Sequence, residues 1–278
     1  MKPPFAYFGG KGRLAPWIAS LLPPHTVYVE PFAGSAAVLF AKQPSTHEIL
    51  NDVDGDVVNF FRVLRERCDE LELACRLTPY ARDEYMAHRT AADEVVDDVE
   101  RARRWWVRST QSFAQVAAGR TGWSSSISKN SNNARSVWNR IDRFAATAER
   151  LACVTIENQD AVDVVRRYDH PEGVIYCDPP YLAEVRTAYR DGRRPNGDYR
   201  HEFATVEQHA ELAAVLRTVK ATVFVSGYPA QLYDDELYAG WHRAERRVLA
   251  RASNGRSGAN PHRVEVVWSN RPIAGVLF

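Results

Sequence analysis

Cysteine is scarce and scattered: Cys68, Cys75, Cys153 and Cys177 form no Cys-x-x-Cys pair and have no histidine cluster at ligand spacing. That argues against a zinc ribbon and a disulfide framework, and no metal is expected. Long hydrophobic runs are missing too. The most apolar stretch, around 33–41, falls well short of the ~20 residues that cross a bilayer, so no membrane span or membrane partner is expected. The start, Met1-Lys2-Pro3-Pro4-Phe5, shows neither the apolar stretch nor the cleavage site of a signal peptide, and a cytoplasmic location is the expectation. Internal repeats and low-complexity tracts are absent as well. Net charge is only +1, which alone argues neither for nor against a polyanionic partner.

What the chain does have is apolar material: 278 residues, 45% hydrophobic and 11% aromatic, enough for one sizeable core with an inserted or appended subdomain. The neutral total also hides an asymmetry. From Glu66 to Glu100 there are 11 acidic and 4 basic side chains, whereas Arg101 to Arg150 holds 10 basic and 2 acidic ones. Tryptophan and phenylalanine are interleaved with that basic block.

Hydrophobic period and turn signals give alternating strands and helices. Val27 to Glu30 reads as a strand, followed by a turn at Pro31 and Gly34 and a helix over Ser35 to Lys42. His47 to Leu50 reads as the next strand, and Val57, Val58, Phe61 and Leu64 mark one face of the helix after it. After Pro79 the pattern is helical, Arg-rich and Trp-rich, then breaks into Gly119 to Ser126 and the polar run Ser128 to Asn133. Alternation resumes with strands at Val154 to Glu157 and Gly173 to Cys177, and a helix at Ala161 to Tyr168 between them. It continues with a helix at Thr205 to Val219 and strands at Thr222 to Ser226 and Arg263 to Trp268. This predicts an α/β fold with a doubly wound, mostly parallel sheet split in sequence by an inserted, mainly helical module. The expected division is 1–65 with 151–278 as the sheet domain and 66–150 as the insert.

Two motifs sit at strand ends, where open α/β sheets bind ligands. Asp178-Pro179-Pro180-Tyr181 follows the buried strand ending at Cys177. Two prolines stiffen an extended backbone whose carbonyls no helix consumes, so Asp178 and the Pro179 carbonyl can both accept hydrogen bonds from one amino group. Tyr181 offers a flat face for a base. Glu30-Pro31-Phe32-Ala33-Gly34-Ser35 ends the first strand, and Gly34 permits close backbone approach of a ligand. It is not Gly-x-Gly-x-x-Gly, which disfavours a dinucleotide. Asp52 ends the next strand, where an acidic group binds ribose hydroxyls; the competing reading is a helix cap within Asn51 to Asp56. Together these suggest a nucleoside cofactor. Tyr7-Phe8-Gly9-Gly10-Lys11-Gly12 imitates a phosphate loop but lacks the Lys-Ser/Thr ending of a Walker motif.

The order Phe8-Gly9-Gly10-Lys11, Glu30-Pro31-Phe32-Ala33-Gly34, Asn51-Asp52, insert, Asp178-Pro179-Pro180-Tyr181 resembles the Dam-type (D12 class, α-group) adenine-specific DNA methyltransferases. Blocks at His201-Glu202-Phe203, Val223 to Gly227 and Val264 to Asn270 resemble the family as well. The resemblance implies a seven-stranded Rossmann-like methyltransferase sheet and S-adenosylmethionine as cofactor. It implies cofactor contacts from Tyr7, Phe8, Gly10, Lys11, Glu30, Phe32, Gly34, Asp52, Asp160 and Asp178, with Asp178, Pro179, Pro180 and Tyr181 as the catalytic turn.

Double-stranded DNA is then the expected partner, with the adenine flipped out of the stack to reach the methyl donor. Arg101, Arg103, Arg104, Arg108, Arg140 and Arg143 are candidates to hold phosphates, with Trp105, Trp106 and Trp138 either stacking or forming the core of a helical subdomain. The polar loop Gly119 to Asn133 is the expected base reader, through Arg120, Lys129, Asn130, Asn132 and Asn133, with Trp123 as a stacking aromatic and Arg135 as a further cation at the DNA. A second basic stretch, Gly240 to Arg263, has 6 Arg and one Glu; within it Ser253 to Gly258, with Arg256, is read as a mobile loop that clamps DNA near the flipped base. Monomeric action fits an asymmetric reaction, and a cognate restriction endonuclease is one biological setting. RNA adenine or the cytosine amino group are alternative acceptors, and a silent DNA-binding protein of the same fold is the alternative outside enzymes.

Overall fold

The residues Val27-Tyr28-Val29-Glu30 have no solvent-facing side, and that places them at the centre of the sheet. In the computed structural model, which describes residues 1–5, 7, 9–89, 96–113, 121–125, 132–182, 203, 205–249 and 262–273, they form β1 (Val27–Glu30), buried throughout. It lies between β2 (His47–Asn51) and β4 (Gly173–Cys177), parallel to both. Beyond these lie β3 (Val154–Glu157), β5 (Thr222–Gly227), β6 (His242–Leu249) and β7 (His262–Ser269). The order is β3-β2-β1-β4-β5-β7-β6, seven strands, with β7 antiparallel to β5 and β6. The expected mostly parallel, seven-stranded Rossmann-like sheet is therefore the observed one.

Side chains alternate across this sheet, so each central strand feeds two cores. Tyr28, Leu50, Val174, Tyr176 and Phe224 face one core; Val29, Ile49, Ile175, Val223 and Val225 face the other. The first is covered by α1 (Ala15–Leu21), α2 (Ala37–Ala41) and α3 (Gly55–Glu66), the second by α9 (Ala161–Arg167) and α10 (Val206–Leu216). A π-helical turn, Leu232–Leu237, adds Tyr233 to the second core. Helix α3 buries Val57, Phe60, Phe61 and Leu64, none more than 1% exposed, worth about 1.5–3 kcal/mol each by area.

The segment after α3 comprises α4 (Cys68–Arg76), α5 (Arg82–His88), α6 (Asp98–Gln111), α7 (Asn133–Ile141) and α8 (Phe144–Leu151). These helices share the first core rather than building a separate one: Trp105 and Trp106, each 1% exposed, sit with Phe5, Phe60 and Phe144. Phe5 meets the Trp105 ring edge-on at 4.7 Å.

Two basic stretches take on definite surroundings in the fold. The arginines of α6 are held in ion pairs: Arg101, itself exposed, and Arg108, buried, pair with Asp56 on α3, while Arg103 and Arg104 pair with Glu100, and Arg103 also with Glu84 on α5. Glu84 and Glu100 of the acidic block thus meet Arg103 and Arg104 of the basic one, while Arg101 and Arg108 draw on Asp56 from outside both. Arg143 likewise donates to the Pro3 carbonyl at 3.0 Å. Secondly, the basic stretch 240–263 begins with the edge strand β6, an element that the hydrophobic pattern did not reveal. Its sequence, His-Arg-Ala-Glu-Arg-Arg-Val-Leu, carries no hydrophobic alternation because charged residues protect an edge strand from further pairing; of its core-facing residues, Ala244 is buried. Residues 250–261 lie outside the described residues.

Candidate active site

Strand order reverses between β1 and β4, so the ends of both strands open onto one crevice, the topological switch point of the sheet. Asp178 follows β4 immediately. Its Oδ1 lies 2.8 Å from the Lys11 ammonium and 3.3 Å from the Tyr181 hydroxyl. Lys11 arrives from the glycine-rich loop, where Gly9 takes φ +72° and Gly10 N–H closes a turn onto the Tyr7 carbonyl at 3.0 Å. The same ammonium donates to the Tyr181 phenol oxygen at 2.5 Å, lies 3.1 Å from Glu265 Oε1 on β7 and sits 4.7 Å from the Tyr181 ring centroid. Tyr181 in turn donates to Glu265.

Burial disfavours the charge on Lys11, yet Asp178 and Glu265 outweigh it and the ammonium is held protonated beyond the ordinary lysine range. Burial pushes the Asp178 carboxyl up, and the Lys11 ammonium opposes that. Glu265 is raised for the same reason, again opposed by Lys11.

On the other side of β1, the turn Pro31 to Ala36 is built by left-handed backbone: Gly34 at φ +46° and Ala36 at φ +53°. Alanine pays a conformational penalty there, and the turn shortens the expected Ser35 to Lys42 helix to Ala37–Ala41. Gly34 N–H donates to Asp52 Oδ2 at 2.8 Å, and Asp54 N–H donates to Oδ1 at 2.9 Å. The cap of α3 is Asp54, not Asp52. Burial raises the Asp52 carboxyl to about 6, with the Asp54 and Gly34 N–H bonds opposing; among the described residues no cation forms an ion pair with it. Asn51 stitches the crevice wall: its amide donates to the carbonyls of Pro31 and Gln159 and accepts from Gln159 N–H at 2.9 Å. The loop after β3 is thereby tied to the loop after β2.

The sequence profile of the D12 class N6 adenine-specific DNA methyltransferases matches residues 7–246 of this chain. The chain belongs to this family. It is 24% identical over 258 residues to the DNA adenine methylase of Haemophilus influenzae, an alignment covering 86% of this chain and 83% of that protein. It is 28% identical over 184 residues to the DNA N-6-adenine-methyltransferase of Escherichia phage P1. That second match takes in 64% of this chain and only 24% of the phage protein's length.

Seen as a D12-class site, the structure brings Tyr7, Gly10, Lys11, Gly34, Asp52 and Asp178 to the sheet's carboxyl edge. Tyr7 lies over the Gly34 turn: a β-carbon on Gly34 would stand 3.0 Å from its ring. Asp160 is exposed and caps α9 through Val162 N–H at 2.8 Å, beside the Asn51 stitch. Phe32 is half-buried and packs edge-on against Phe203 at 5.4 Å. Glu30 is 2% exposed beneath the turn, accepting from Tyr28 hydroxyl and Leu39 N–H. Pro179 is buried and Pro180 half-buried. Tyr181 is 8% exposed, so the open flat face expected of it is largely covered by Lys11 on one side and by the edge-on ring contact with Tyr228 at 4.7 Å.

Of the expected DNA-contacting residues, Asn132 and Arg135 are exposed at the start of α7, where Asn132 Oδ1 caps the helix by accepting from Arg135 N–H at 2.9 Å. Trp123 packs on Tyr80 at 5.4 Å and donates to Gln111 Oε1. Phe8, Arg120, Lys129, Asn130 and Arg256 lie outside the described residues. Sequence reasoning assigned no role to Asn51 or Glu265. A lone carboxylate inside Val264-Glu265-Val266-Val267-Trp268 was the available signal, since a buried charge demands a partner.

Proposed function

We propose that this protein transfers the methyl group of S-adenosylmethionine to the N6 amino group of an adenine flipped out of double-stranded DNA. The observation that carries the reading is the crevice itself: two carboxylates, Asp178 after β4 and Asp52 after β2, at the ends of the strands that flank β1, with the left-handed Gly34 turn after β1 between them. The residues fit the cofactor. Asp52 is a desolvated carboxylate with no ion pair among the described residues, suited to accept from a ribose diol, and the missing side chain of Gly34 leaves room for the Tyr7 ring to lie against the turn beside it. Tyr7, Gly10 and Lys11 would face the amino-acid end, Phe32 and Asp160 the base end, with Glu30 bracing the turn from below.

When bound, the cofactor supplies a methyl on a positively charged sulfur, which departs with the C–S electrons as a neutral thioether. The protein's part is positioning and electrostatics, because adenine's conjugated amine is a poor nucleophile. Asp178, kept toward its ionised form by Lys11, accepts one N–H of the amine and the Pro179 carbonyl accepts the other, turning the nitrogen lone pair toward the methyl; as the N–C bond forms, the surplus proton leaves the nitrogen through the Asp178 carboxylate and passes to solvent. Tyr181 and Tyr228 form the aromatic wall of the crevice.

Residues 66–150 serve in this proposal as the target-recognition part. Asn132 and Arg135 present donors to the DNA from the start of α7, and the exposed Arg246 and Arg247 on β6 reach its phosphates. The protein acts as a monomer, and a restriction endonuclease with the same target sequence is its proposed counterpart. The test is transfer of isotope-labelled methyl from S-adenosylmethionine to mixed-sequence duplex DNA, followed by nucleoside analysis. Label in N6-methyladenine supports the reading. Label only in RNA or in methylcytosine moves the substrate, and no label with any acceptor rejects the enzyme.

A further inference from the structure

One carboxylate of the crevice has no part in that chemistry. Glu265 is 4% exposed in β7, across the ladder from the exposed Arg246 of β6. A buried carboxylate is costly unless it is paired and hydrogen-bonded, and Glu265 is both: Lys11 lies 3.1 Å from Oε1 and the Tyr181 hydroxyl donates to it. Two carboxylates thus bracket one ammonium, with a phenol bridging all three groups. The groups facing Glu265 are Lys11 from the glycine-rich loop, Asp178 and Tyr181 from the turn after β4, and Tyr176 from β4; Tyr228, after β5, abuts Tyr181. The Asp178 side chain is 18% exposed and that of Glu265 is 5% exposed, so Asp178 meets the substrate and Glu265 stands behind it.

We infer that Glu265 is a positioning residue for methyl transfer: it holds Lys11 and Tyr181 in place so that Asp178 presents a fixed carboxylate to the target amine. This rests on the proposed function. Without the second carboxylate, Lys11 has Asp178 as its one carboxylate partner in the cluster and draws in on the oxygen that the amine needs. Tyr181 simultaneously loses a charged acceptor, which loosens the turn that carries Asp178.

The test compares wild type, Glu265→Gln and Glu265→Asp. Glutamine keeps an acceptor for the Tyr181 hydroxyl and removes the charge. For Glu265→Gln, KM for DNA is expected to stay near wild type while kcat falls roughly ten- to a hundredfold, the scale of a misplaced catalytic group. The acid limb of its kcat profile moves to lower pH, because Asp178 as the lone partner of Lys11 holds its negative charge more firmly. Glu265→Asp restores part of kcat. A merely structural glutamate would lower stability and leave the pH profile in place. A second arm needs no activity: reductive alkylation of folded protein, read by peptide mass spectrometry, is expected to label Lys11 several-fold faster in Glu265→Gln, since one carboxylate fewer favours the neutral amine. If wild type transfers no methyl, the proposed function fails and the labelling arm still decides this inference. Unchanged kcat, pH profile and Lys11 labelling in Glu265→Gln overturn it.

Discussion

Replacing Glu30 with glutamine is expected to flatten the fall in stability from neutral to alkaline pH. Glu30 ends β1 at 2% exposure, and its Oε2 accepts from the Tyr28 hydroxyl at 2.9 Å and Leu39 N–H at 3.1 Å. Burial pushes its carboxyl from 4.5 up to about 8, with those two hydrogen bonds opposing only in part. A carboxyl whose folded value lies above its unfolded value favours the fold while it is protonated. That contribution is complete below the unfolded value, falls as pH rises, and is lost once pH passes the folded value. Between pH 6 and pH 8 the unfolded chain is ionised and the folded group is mostly not, so wild type loses about 1.4 kcal/mol per pH unit, or about 2–3 kcal/mol over that span. In a chain of this size this corresponds to a shift of roughly 5 °C in Tm. Glutamine imitates the protonated acid, keeps the acceptor for Leu39 and Tyr28 and carries no such pH term. Urea unfolding of both proteins at pH 6, 7 and 8 measures the difference directly, other titrating groups being common to both. Parallel curves, diverging by less than about 0.5 kcal/mol, would refute the reasoning, as that is within the extrapolation error.

Gly34→Ala places a β-carbon 3.0 Å from the Tyr7 ring on a backbone at φ +46°, and is expected to cost about 1–2 kcal/mol in thermal denaturation. By displacing Tyr7 it should also weaken S-adenosylmethionine binding measured by calorimetry. Asp56→Ala strips the buried Arg108 and its neighbour Arg101 of their shared carboxylate; urea unfolding is expected to show a loss of about 3 kcal/mol, as when one partner of a buried pair is removed.

The parts of this molecule legible in sequence are those where local chemistry and global placement agree. Val27 to Glu30, Val154 to Glu157 and Gly173 to Cys177 were readable to the residue because they are continuous apolar or β-branched runs bounded by turn residues. The crevice was legible because Asp178, Gly34 and Asp52 all follow such strands. Edge strand β6 was hidden by its charges, since edges are selected against the alternation that marks inner strands. The partners of the Arg-rich block were hidden for a different reason. Linear charge density reports where cations lie in the chain, whereas Asp56, Glu84 and Glu100 reach Arg101, Arg103, Arg104 and Arg108 only once α3, α5 and α6 are packed. Tyr181 shows the same limit: its place in the motif was plain, but that its ring lies under Lys11 depends on a contact 170 positions away in sequence.

The most direct test of the central claim is single-turnover methyl transfer by wild type and Asp178→Ala, with cofactor affinity measured for both. Wild type is expected to yield N6-methyladenine in duplex DNA. Asp178→Ala should lose at least about a thousandfold in rate, the scale of removing a principal electrostatic contact, while cofactor affinity changes by less than about tenfold. An Asp178→Ala protein that methylates adenine within about tenfold of the wild-type rate would contradict the account.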